Sequence, residues 1–91
     1  MPVISIYEDA PNQPDKLQVA RFYVELGHNI KEARKRAGLR QMDVALACGI
    51  LRSSLALIEG GRQTLAVHQL ATIATSCNVT IEALVPNLLE V

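Results

Sequence analysis

The sequence predicts an all-α domain of five short helices. Three observations lead there. Apolar residues recur at spacings of three and four from Leu26 onward, and Gly38, Gly49, Gly60-Gly61 and Asn78 punctuate the chain between apolar stretches. The apolar fraction is 49%, yet only Phe22, Tyr7 and Tyr23 are aromatic, so the core falls to Leu, Ile, Val and Ala. These are the side chains that fill small helical bundles, and 91 residues suffice for one such core and not for two.

Residues 1–14 stand apart as an N-terminal arm. Val3, Ile4, Ile6 and Tyr7 form a β-prone run, followed by Glu8 and Asp9 and then by Pro11 and Pro14. Five extended residues have no stability alone, so the run is either a loose arm, which is favoured, or an edge that pairs with something such as its copy in a second chain. Residues 15–91 form the helical domain. Asp15 is placed to cap the first helix, whose inner face carries Leu26, Ile30, Ala33 and Ala37 and whose other face carries Lys31, Glu32, Arg34, Lys35 and Arg36, before Gly38 ends it. Helices follow at Gln41 to Cys48, Arg52 to Glu59 and Val67 to Cys77. Asn78 sits where a left-handed residue would end the fourth helix, and Thr80 caps a fifth from Ile81 to about Val85. Arg40, Leu51 and Ala66 occupy N-cap positions that Ser, Thr or Asn would fill better, with Thr64 a possible cap for an earlier start of the fourth helix.

The informative stretch is residues 41–60, QMDVALACGILRSSLALIEG. Two helices joined by so few residues must cross steeply. Ala45 gives the small contact that this requires, and Gly49 gives the positive φ for the turn, while Ile50, Leu55 and Ile58 face back onto the first helix. That combination describes a helix-turn-helix, whose second helix can enter a DNA major groove.

The run from Leu26 to Val85 resembles the lambda-repressor-like, XRE-type helix-turn-helix family of DNA-binding regulators. The shared features are Leu26-Gly27, Gly38-Leu39, Gln41, Ala45, Gly49, Arg52, Ser53, Ile58-Glu59, Gly61-Arg62 and Ile73-Ala74 through Leu84, at ungapped spacing. The resemblance implies DNA-binding roles for Arg40, Gln41, Arg52, Ser53 and Arg62. Gln41 would hold a phosphate at the start of the second helix. Arg52 and Ser53 would enter the groove, where an Arg that binds guanine bidentately contributes about 1–3 kcal/mol of discrimination. Arg40 and Arg62 would neutralise phosphates. The resemblance also pairs Arg34 with Glu59. Where the family pattern leaves polar residues, this chain has Leu46, Ala47, Ala56 and Leu57; Ala56 or Leu57 could meet a thymine methyl group, and the apolar surface could equally serve a protein partner.

The implied function is a sequence-specific transcriptional regulator of double-stranded DNA, a dimeric repressor that acts by operator occlusion. The alternative is a protein-interaction module, or an antitoxin, on a helix-turn-helix scaffold with weakened base readout. Leu84, Val85, Leu88 and Leu89 crowd the C-terminal end, and one short helix interrupted by Pro86 is not expected to bury them all, so a homodimer through this end is expected.

Other chemistry is sparse. Cys48 and Cys77 lie in apolar stretches and read as buried free thiols, which suits a cytoplasmic protein. His28 and His68 have no partner at ligand spacing, and no catalytic set or phosphate-cradling loop is present, so no metal, cofactor or enzymatic activity is expected. No run is long and apolar enough for a membrane span or a signal peptide. The formal net charge of zero argues against nucleic acid only on its face. Residues 31–62 hold seven Lys or Arg against three acids, net +4, and each flanking segment is net −2.

Overall fold

In the computed structural model of the chain, the described residues are 13–90. The expected arm at residues 1–12 lies outside them. Helix α1 (Lys16–Arg36) starts from a reciprocal capping box, in which the Asp15 carboxylate accepts the Gln18 N–H at 2.7 Å and the Gln18 side chain accepts the Asp15 N–H at 3.0 Å. It is followed by α2 (Gln41–Cys48), α3 (Arg52–Glu59), α4 (Val67–Ser76) and α5 (Ile81–Leu84), and a 3-10 turn at Leu88–Glu90 closes the described chain. Among the described residues there is no strand, and the all-α, five-helix architecture is the one that the sequence predicts.

Four of the helices stop in the same way. A residue with positive φ (Gly38, Gly49, Gly61 or Asn78) follows the last turn, and the N–H one position later bonds back to a carbonyl inside the helix: Leu39 to Arg34, Ile50 to Ala45, Arg62 to Leu57 and Val79 to Ala74, at 2.8–3.1 Å. This is the Schellman arrangement, and in three of the four cases the residue that follows the left-handed position, Leu39, Ile50 or Val79, packs on the core. The stop signal and a core contact are therefore set together by two adjacent residues.

The helix starts are less regular, as Arg40, Leu51 and Ala66 suggest. None of the three gives a side-chain cap. In α2 and α4 the residue three positions on takes over half of the job, with the Asp43 carboxylate accepting the Arg40 N–H at 2.8 Å and the Gln69 side chain accepting the Ala66 N–H at 3.0 Å. Thr64 is not a cap, because α4 starts only at Val67. Thr80 does cap α5, accepting the Ala83 N–H at 3.3 Å.

The core joins Leu26, Ile30 and Ala33 of α1 to Val44 and Ala45 of α2, Leu55 and Ile58 of α3, Ile73 and Ala74 of α4, and Leu84 of α5, with Cys77 beside them. Ala37, expected on this face, is exposed because the helix ends there. Close approach is needed at Gly27, which lies on α1 where the end of α3 crosses it. A Cβ there would overlap the carbonyl oxygens of Ile58 and Glu59, which are backbone and cannot swing away.

The C-terminal end departs from expectation. Leu84 is only 1% exposed, and the Asn29 side-chain amide on α1 donates to its carbonyl at 2.9 Å. The Leu88–Glu90 turn packs along α1, and Leu88 is half-buried. The tail thus folds onto its own domain, which corrects the expectation that Leu84 and Leu88 stand free for a second copy. Of these residues Val85 keeps an exposed side chain.

Gly27→Ala is expected to cost about 3 kcal/mol, because the methyl group meets unyielding backbone. Gly38→Ala is expected to cost about 1 kcal/mol, because its added Cβ has open space and only the positive φ is penalised. Urea unfolding of the two variants checks the order; equal losses would contradict the close approach at Gly27.

Candidate nucleic-acid interface

The axes of α2 and α3 turn through 107°. Ala45 is fully buried at their contact and Gly49 has φ +68 in the turn, so both residues do what the steep crossing demands. The crossing presents the first turn of α3, with Arg52 and Ser53 exposed, beside the first turn of α2.

Behind this surface lies a hydrogen-bonded chain that starts in the core. Arg34 Nε meets Glu59 Oε2 at 2.7 Å, Nη2 reaches Oε1 at 3.2 Å, and Nη1 donates to the Leu39 carbonyl at 2.9 Å. Both side chains are buried, so Arg34 does not belong to the outer face of α1 with Lys31, Lys35 and Arg36 as the helical pattern suggests; its guanidinium turns inward to the carboxylate. The hydrogen bond to Glu59 outweighs the burial that opposes it and pushes the Arg34 guanidinium further into its charged form. The Gln41 Nε2 amide donates to Glu59 Oε1 at 3.0 Å, and Arg52 Nη1 donates to Gln41 Oε1 at 2.9 Å. The orientation of Gln41 is thereby fixed: its amide end faces the carboxylate and its carbonyl end faces Arg52.

The five residues predicted from sequence fall into three situations. Gln41 and Arg52 are joined to each other, so Gln41 acts here as a support for Arg52. Arg40 forms a surface ion pair with Asp43 at 3.1 Å, with its own side chain 82% exposed; its guanidinium and its backbone N–H hold the Asp43 carboxyl below the usual carboxylate range. Ser53 and Arg62 are exposed, and neither side chain has a hydrogen-bond partner among the described residues. Ser53 therefore does not bond back to its own helix. The chain from Glu59 through Gln41 to Arg52 was not foreseen, because residues 18 and 11 positions apart carry no periodic signal. The apolar departures are also on the surface: Leu46 is 71% exposed, Leu51 and Leu57 are exposed, and Ala56 is half-buried.

Among the described residues no group of three His, Cys, Asp or Glu could hold a metal ion. Cys48 and Cys77 are free thiols, and burial pushes both up and keeps them protonated. No single helix is long and apolar enough to cross a membrane.

The sequence matches a family model described as a helix-turn-helix domain over residues 25–88. No curated protein matches it significantly. Among solved structures, the restriction-modification controller protein C.AhdI from Aeromonas hydrophila is similar with a TM-score of 0.64 and 26% identity, over 68% of this chain and 94% of its own. An HTH_3 family transcriptional regulator from Vibrio cholerae gives 0.64 and 24%, over 72% of this chain but only 37% of its own. The hypothetical transcription factor NHTF from Neisseria gives 0.66 and 23%, over 85% of each chain. The last two bear on the fold alone.

Arg34→Met removes the partner of a buried carboxylate and is expected to cost about 3–5 kcal/mol. Adding Glu59→Leu to it is expected to recover a large part, since an apolar pair leaves no stranded charge. Thermal or urea unfolding of the single and double variants measures this. A double variant no more stable than Arg34→Met would contradict the stranded charge as the source of the loss.

Proposed function

The chain belongs to the helix-turn-helix domain family, and we propose that it is a sequence-specific regulator of transcription that binds double-stranded DNA, as a dimeric repressor acting by operator occlusion. The observation that carries this reading is the buttressed Arg52: an exposed arginine on the first turn of α3 whose guanidinium is held by Gln41, itself held by a buried ion pair. A preset guanidinium pays less ordering entropy when it meets a guanine edge. Arg52 is the base reader, Ser53 a less selective neighbour and Gln41 the positioning residue for Arg52, with phosphate contact through its remaining amide hydrogen. Arg40 and Arg62 are phosphate contacts. Residues 15–91 form the DNA-binding domain and residues 1–14 a separate arm. The work is binding, with no catalysis, and its setting is the cytoplasm.

The exposed Leu46 and Leu57 favour a second reading, a protein-interaction module or antitoxin on the same scaffold. Binding of DNA fragments from the chain's own promoter region, followed by fluorescence anisotropy, separates the two. Affinity is expected to fall steeply with salt. Arg52→Ala is expected to lower affinity for the preferred site about 10- to 100-fold and to leave other sequences nearly unchanged, whereas Arg62→Ala weakens all sequences alike. Gln41→Ala is expected to follow Arg52→Ala in direction with a smaller loss. Absence of binding at low salt would sink the regulator reading in favour of the interaction module.

A further inference from the structure

We propose that the outward face of the first half of α1 is a self-association surface, on which α1 of a second copy lies antiparallel. The inference rests on the dimeric part of the regulator reading and assigns it a place. Leu17, Ala20 and Val24 follow one another at spacings of three and four and point away from the core face of Leu26, Ile30 and Ala33. Leu17 is 57% exposed and Val24 55%, high values for large aliphatic side chains on an ordered helix. The other expected place for a second copy, the C-terminal end, has turned Leu84 and Leu88 toward its own domain.

Charge identifies the occupant. Arg21 and Glu25 border the same side of the stripe, both are exposed, and neither has an ion-pair partner among the described residues. A two-fold axis that crosses α1 near residue 22 brings Arg21 of each copy within one helical turn of Glu25 of the other, along one edge, and Leu17 of each within one turn of Val24 of the other, so one operation forms two reciprocal pairs while the stripes meet. The stripe suits a copy of itself without any further assumption about a partner's sequence. It also lies about 15–25 Å along α1 from Arg34, counted at 1.5 Å per residue, with Val24 against Gly61 at the near end. Two turns of helix hide much less than the roughly 800 Å² per partner of a standard interface, so the association is weak, with a dissociation constant on the order of 10–100 µM.

Sedimentation equilibrium of the full chain at low salt, over a micromolar concentration series, tests this. The native chain is expected to populate dimer, and Leu17→Glu to remain monomeric with an unchanged circular-dichroism spectrum. Arg21→Glu or Glu25→Arg alone is expected to weaken association about tenfold, and the two together to return it to within about threefold of native. A native chain that stays monomeric throughout overturns the proposal, as does a charge swap no better than its single variants. Loss of dimer in Val85→Asp but not in Leu17→Glu would move the interface to the C-terminal end. A gain in association on deleting residues 1–12 would show that the same chain covers the stripe, and would also overturn the proposal. DNA binding by anisotropy is read separately, so failure here is distinct from failure of the regulator reading.

Discussion

The buried pair of Arg34 and Glu59 is the contact on which the architecture turns. It ties the end of α1 to the end of α3, and Arg34 also takes the carbonyl of Leu39, so the Schellman ending of α1 is held by the same side chain. A few residues earlier on α1, Gly27 lets the backbone of Ile58 and Glu59 come close enough for the carboxylate to reach its partner. Taking both charges from water costs several kcal/mol per ion, and a pair so placed adds little net stability. Its effect is to fix relative position: of the arrangements that bury Leu55 and Ile58 equally well, only those that join these two groups escape a stranded charge.

Glu59 has oxygen to spare, and the consequence is functional. Its Oε1 accepts from both Arg34 and Gln41, and Gln41 then accepts from Arg52. An isolated eight-residue helix is marginal in water, and α3 has no N-cap side chain at Leu51, so its order comes from packing and from this chain of contacts. Core stability and the aim of Arg52 are therefore coupled. A change that loosens the ion pair also frees the guanidinium, even though the two sites are joined only through Gln41.

Much of this was legible in the sequence because the signals were local. Gly38, Gly49 and Asn78 mark left-handed positions whose neighbours Leu39, Ile50 and Val79 are apolar, and a helix stop is set by those few residues alone. The Arg34–Glu59 pair came only through resemblance to a family, since two charges 25 positions apart have no pattern of their own. The role of Gln41 was half legible: its place at the start of α2 suggested phosphate, but its fixed amide orientation depends on a carboxylate that only the fold brings near. The C-terminal end misled because counting apolar residues does not tell which surface receives them. Leu84 joins the buried core, and the Asn29 amide donates to its carbonyl. The Thr64 alternative failed in the same way, for a good capping residue has no effect where the helix starts elsewhere.

The zero net charge takes on a different meaning once each cation is placed. Of the seven Lys and Arg between residues 31 and 62, Arg34 is neutralised by Glu59 inside the core and Arg40 by Asp43 on the surface. Lys31, Lys35, Arg36, Arg52 and Arg62 remain exposed, and among them only Arg52 is held in place, by a neutral amide. A neutral holder matters. A carboxylate in the place of Gln41 would fix Arg52 equally well, but it would cancel the charge that has to meet a guanine edge or a phosphate, and its own desolvation would oppose contact with DNA. The amide lets the buried negative charge of Glu59 orient the arginine at one remove while leaving the guanidinium's charge uncancelled at the surface.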